Sequence, residues 1–268
     1  MHIRSLLSHR GLLAAAAAVA ALPLAVAGAA SATGAAHPAF QPPPVKHVWV
    51  IELENEGFSQ SFGDPAADPY LAVTLPRMGA LLTNYYAIGH DSLDNYIAQV
   101  TGQAPDTDTQ NDCGVWTKFE PTNVITPPFG QLTGNGCVYP GSVPTIGNQL
   151  SARGLTWKAY LQDMGNSPGR DRTMPTAQGP ACGHPQVGKP DPTESATAGD
   201  QYATRHEGFM YFESVIGSPA YCDAHVLSFQ PLLKNLSKAS TTPDFSWLSP
   251  NLCMDGHDAP ARTATRAV

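Results

Sequence analysis

The feature that most limits the fold is a short run, Val45–Ile51 (VKHVWVI), dense in β-branched and aromatic residues and set directly behind three prolines. A run of that length bounded by turn formers predicts a buried strand. Leu93, Tyr96, Ile97 and Val100 then recur at helical spacing and predict a helix over Ser92–Val100. Thr145–Arg153 predicts a second helix closed by Gly154, and Leu155–Leu161 the next strand. Two short helices are expected over Phe209–Ile216 and Phe229–Leu236, and a strand over Asp244–Leu248. Strands alternating with helices point to an α/β protein, a three-layer α/β/α sandwich with a largely parallel central sheet. The Pro/Gly/Thr-rich stretches 103–144 and 164–200 read as long excursions pinned by disulfides, and no internal repeat is visible.

Hydrophobic residues make up 42% of the 268 and charged residues 14%, a balance that supports a sizeable core. A formal net charge of −7 without a long Lys/Arg run argues against nucleic acid or an anionic membrane as the main partner. At the N-terminus, Arg4 and Arg10 precede the apolar run Gly11–Ala30, which leads into Ala30-Ser31-Ala32. That order is the pattern of a secretory signal peptide cleaved after Ala32, rather than of a retained span. A flexible segment over 33–44 follows, and the mature protein is expected outside the cell. Export permits disulfides. Pairing neighbours joins Cys113 to Cys137 and Cys182 to Cys222 and leaves Cys253 over, one of the connectivities that five cysteines allow.

Chemistry in parallel sheets gathers at the carboxyl ends of strands, where the first strand delivers Glu52-Leu53-Glu54-Asn55-Glu56. Carboxylates and an amide at such an exit suit a hard cation or acid/base work, and alternation sends Glu52 and Glu54 to one side. Phe58 and Phe62 just beyond favour burial of this exit over a solvated loop. Ser92, in Gly89-His90-Asp91-Ser92-Leu93-Asp94-Asn95-Tyr96, stands at a helix start, where a serine can cap the helix or meet an anionic phosphoryl group. Asn95, one turn on, shares its face and could donate to a phosphoryl oxygen.

The blocks ELENEGFSQSFG, GHDSLDNYIAQVTGQAP, GCVYP…TIGNQLSARGLTWKAYLQDM, RHEGFMYFESV and LSPNLCMDGHDAP, taken in order, resemble the bacterial phosphoesterase family of acid phosphatases and phospholipases C, within the alkaline-phosphatase-like superfamily. The resemblance runs from Val45 to Pro260 and implies a metal-dependent hydrolase of small-molecule or lipid phosphate esters. On the matching positions, Glu54, Asn55 and Asp255 would hold or flank a divalent metal ion. Ser92 would attack phosphorus and become a phosphoserine. Asn95 would hold a phosphoryl oxygen. His206 would contact phosphate or protonate the leaving group, with His257 completing the shell and His90 a further substrate contact. Members of that family continue beyond the last block into an Asp-Glu pair, and a cysteine commonly stands where this chain has Ala261. The resemblance therefore implies an incomplete domain over 45–260 lacking its C-terminal strands, an unpatterned tail over 261–268, and a frame shortened after Pro260.

Two other readings compete with hydrolysis of phosphate esters. One takes GHDSL as a degraded GDSL block, with Ser92 activated by a histidine as in serine esterases. The other is a secreted binding domain or remnant without turnover. Between the two phosphoesterase activities, a soluble phosphomonoesterase is preferred to a phospholipase C, because the sequence shows neither a lipid-binding domain nor a lipid-facing amphipathic helix.

Overall fold

The computed structural model describes residues 43–126 and 130–258, and the signal peptide, most of the linker and the tail expected above lie outside them. In chain order, β1 (Val48–Ile51) leads to α1 (Phe58–Phe62), α2 (Leu75–Met78) and α3 (Ser92–Thr101). Next come β2 (Glu120–Thr126), β3 (Gln131–Asn135), α4 (Ile146–Ala152) and β4 (Trp157–Leu161). Then follow α5 (Pro168–Asp171), β5 (Met174–Thr176), β6 (Gly179–Ala181), α6 (Glu213–Ile216) and α7 (Pro219–His225). The last elements are β7 (Val226–Ser228), α8 (Leu232–Asn235) and β8 (Phe245–Ser249).

Six strands form one sheet in the order β1-β8-β4-β7-β6-β5. The first four are mutually parallel, and β6 and β5 close one side antiparallel. Alternation along the strands feeds two cores. Trp157, Ala159 and Leu161 of β4, with Phe245 and Trp247 of β8, pack among Leu93, Tyr96, Ile97 and Val100 of α3. The intervening Tyr160 and Leu248 turn to the other face, where they meet Leu227 of β7 and Leu232 of α8. A sheet covered on both faces by helices is the three-layer arrangement that the strand–helix alternation implies. Among the described residues no helix is long and apolar enough to cross a membrane.

Cys113–Cys137 and Cys182–Cys222 are bonded and Cys253 is free, as the neighbour pairing expects. Other expectations need correction. β1 is an edge strand rather than a buried one, with Val48, Trp49 and Ile51 exposed, because β8 is its sole neighbour among the described residues. The excursions carry strands of their own, the β2–β3 hairpin and the β5–β6 pair. The helix expected over Phe209–Ile216 is a 3₁₀ turn, Gly208–Tyr211, followed by α6, and the one over Phe229–Leu236 begins only after Pro231.

Burial also sets the pH response of the fold. Glu207 is fully buried, and desolvation raises its carboxyl from 4.5 to about 8, against the lowering effect of hydrogen bonds from the Met210 and Phe209 N–H groups. A raised folded pKa means that the native state binds the proton more tightly. The stability is full below the unfolded pKa and is lost as pH rises through about 8. His184 and His225 act in the opposite sense: burial lowers both, so their contribution is lost as pH falls through the ordinary histidine range. Glu207→Gln should therefore make the melting temperature fall less between pH 5 and pH 8 than it does in the parent, as measured by circular dichroism.

Candidate active site

The site forms where the carboxyl ends of β1 and β8 meet the N-terminus of α3. The two strands are parallel neighbours, so their exits emerge together, and the Glu54 N–H donates to the Asp255 carbonyl at 2.9 Å. Gly256 lets the second exit come this close. It has φ +106°, and a Cβ there would stand 3.1 Å from the Glu54 carbonyl oxygen.

Ser92 is the first residue of α3, and Asp91 before it occupies the N-cap position without a capping side-chain bond. The serine does not cap the helix. Its Oγ donates to Glu54 Oε1 at 2.7 Å, the short length of a hydroxyl held by a carboxylate. The N-terminus is satisfied instead by Asp112, whose Oδ1 accepts from the Leu93 N–H at 2.8 Å, out of the loop anchored by Cys113–Cys137. Glu52 and Glu54 both face α3, as alternation requires, and Glu52 accepts from Gln99 at 3.1 Å. Burial, and after it the nearby Glu54, raise the Glu52 carboxyl, while the Gln99 bond lowers it. Phe58 is exposed, and the side-chain contacts that cover this exit come from α3.

A second group lies beside the first. His206 is buried, and its Nδ1 is 2.9 Å from Asp255 Oδ2, while Asp255 Oδ1 accepts from the His257 N–H at 2.8 Å. The carboxylate makes Nδ1 the donor, and Nε2 is buried without a hydrogen-bond partner among the described residues. His257 stands 5.2 Å from His206, ring to ring, and bonds Asp258 at 2.7 Å. The Ser249 hydroxyl donates to the His206 carbonyl at 2.7 Å and ties this turn to the end of β8.

The structure thus brings Glu54, Ser92, His206, Asp255 and His257 together. His90 is exposed on the loop ahead of α3, and Asn55 is exposed with φ +63°. Asn95 is turned to the loop. Its Nδ2 donates to Asp91 O at 2.7 Å, Gly89 O at 3.3 Å and Asp94 Oδ1 at 2.9 Å, and its Oδ1 accepts from the N–H groups of Ile88 and Gly89. The amide is therefore positioned to fix the approach to Ser92. Sequence reasoning missed Tyr96, read only as an apolar helix residue. Its hydroxyl donates to Glu54 Oε2 at 3.0 Å, and the signal was its place four residues after the serine.

Glu54 and Ser92 supply two hard oxygen donors for a divalent cation, but both Asp255 oxygens are engaged by histidines. No cluster of three His, Cys, Asp or Glu side chains able to hold a metal occurs among the described residues. The donors present fit part of a hard-cation shell, which takes about six oxygens, and not the whole of it.

Asp94 is buried against Gly89, and burial above all raises its carboxyl to about 6. A methyl group on residue 89 would land on that carboxylate. Gly89→Ala is expected to cost about 1–3 kcal/mol in denaturant unfolding, the usual range for overpacking.

Comparison with known proteins adds a family. A model of the Phosphoesterase family matches residues 67–268. Over 208 residues the chain is 26% identical to the phosphate-repressible acid phosphatase of Penicillium chrysogenum, covering 78% of this chain and 38% of that protein. An acid phosphatase of Aspergillus fumigatus is 24% identical over 213 residues, covering 79% of this chain and 36% of its own. The chain thus spans under two fifths of the length of these relatives. No solved structure matches it.

Proposed function

The chain belongs to the Phosphoesterase family, and we propose that it carries the nucleophile and leaving-group machinery of a secreted phosphate-ester hydrolase that works through a phosphoserine at Ser92. The observation that carries this reading is the 2.7 Å bond from Ser92 Oγ to Glu54 Oε1 at the N-terminus of a ten-residue helix. The carboxylate takes the serine proton as Oγ bonds to phosphorus, and the helix end favours the anionic phosphoryl group. The bond from phosphorus to the leaving oxygen breaks. His206, protonated at Nε2 and held through Nδ1 by Asp255, delivers a proton to that oxygen. Neutral again, the same nitrogen takes a proton from a water whose oxygen bonds to phosphorus; the bond from phosphorus to Oγ breaks, phosphate leaves, and Oγ recovers its proton from Glu54. Asn95 keeps the 88–91 loop in place during both steps.

A divalent ion held through Glu54 and Ser92, with Asn55 beside them, would stabilise the serine alkoxide. The names of the relatives favour phosphomonoesters over phospholipids as substrates. A serine activated by a carboxylate, not by a histidine, speaks against the esterase reading. The Cys113–Cys137 and Cys182–Cys222 disulfides support export, since such bonds persist in oxidising compartments.

The test is hydrolysis of p-nitrophenyl phosphate by the purified chain. Ser92→Ala should abolish turnover, a loss of at least roughly 10³-fold, whereas persistent activity would remove the serine from the mechanism. EDTA should depress the rate and added divalent ions restore it; an EDTA-insensitive rate would remove the cation and leave Glu54 as the sole activator.

A further inference from the structure

We infer that Tyr96 is a positioning residue that locks the carboxylate of Glu54 and the imidazole of His206 into one rigid unit, an inference that rests on the phosphoserine reading above. Ser92 and Tyr96 lie one turn apart on the same face of α3, and each gives its hydroxyl to a different oxygen of Glu54, at 2.7 Å and 3.0 Å. Two donors from one helix fix the plane of the carboxylate, not merely its distance. With Oε2 held by the tyrosine, Oε1 has no freedom to turn away from the serine.

The ring of the same residue fixes the other half of the site. It stacks on His206 with centroids 5.4 Å apart and planes 2° from parallel, and Trp247 backs it at 6.1 Å. Asp255 fixes one atom of the imidazole, Nδ1, which leaves rotation about that bond open. The tyrosine face removes that rotation and so sets where Nε2 points. Burial, reinforced by Glu54, Glu52 and Asp255, pushes the phenol well above its ordinary pKa, so it remains a donor. A merely structural tyrosine in this core could have its hydroxyl anywhere that a partner is available. Here the partner is the carboxylate that holds the nucleophile, and the stacked ring is the histidine that faces the site.

Two variants separate the hydroxyl from the ring. Tyr96→Phe keeps the stack and deletes the donor; Tyr96→Leu deletes both. Rates are measured per folded molecule on p-nitrophenyl phosphate, which has a good leaving group, and on glycerol phosphate, which has a poor one. For Tyr96→Phe, kcat should fall roughly 10- to 100-fold on both substrates with KM within about threefold, the scale of loss for a displaced reacting group. For Tyr96→Leu, a further loss should appear on glycerol phosphate, whose departure depends most on a well-aimed acid. An unchanged kcat in Tyr96→Phe, or equal losses on both substrates in Tyr96→Leu, would overturn the inference. Turnover that survives Ser92→Ala would instead overturn the reading beneath it.

Discussion

The site depends on one carboxylate. Glu54 leaves the end of β1, accepts from Ser92 with one oxygen and from Tyr96 with the other, and is thereby fastened to the first turn of α3. A carboxylate in a half-buried position must find donors, and here both come from hydroxyls one helical turn apart. The same contact sets where the Ser92 hydroxyl points. A serine at the first position of a helix is free to serve the backbone or an external partner, and this one is committed to the strand exit. Deleting Glu54 would leave the hydroxyls of Ser92 and Tyr96 without their acceptor.

Around this contact the fold supplies rigidity in layers. The parallel pairing of β1 with β8 brings the two exits together, Gly256 allows their backbones to approach, and Ser249 and Asp255 hold His206 from the second exit. Asp112, presented by the Cys113–Cys137 loop, completes the start of α3, while the Asn95 amide fastens the loop ahead of it. The excursion between residues 103 and 144 is therefore part of the scaffold for the site. On the other side the support is thinner. β1 lies at the sheet edge with Val48, Trp49 and Ile51 exposed, and an apolar edge of this kind favours association with another strand.

What the sequence revealed follows from periodicity and chemistry. The strands over 157–161 and 245–249 and the helices over 92–101 and 146–152 were readable from their apolar patterns, with Gly154, at φ +71°, marking the end of the second helix. β7 has three residues directly behind α7, too few to show a period, and β5 and β6 are pairing partners within proline-rich sequence. Burial of β1 could not be read, because the residues VWVI look alike at an edge and in the middle of a sheet. In the site, Ser92, Glu54, His206, Asp255 and His257 were legible from residue type and block order. Tyr96 was hidden because its ring satisfied the helical apolar pattern, and only the three-dimensional position of Glu54 exposes the use of its hydroxyl. The role of Asp255 as a partner of histidines, and that of Asn95 as a loop anchor, likewise depend on contacts between distant segments.

A phosphoserine route requires that Ser92 bond to phosphorus during turnover. Rapid acid quenching of the purified chain during turnover of a phosphomonoester, followed by peptide mass spectrometry, measures this directly. Phosphate is expected on the peptide that contains Ser92, trapped by the acid quench and absent when substrate is omitted. A peptide that stays unmodified while turnover proceeds, or phosphate carried by a histidine instead, would contradict it.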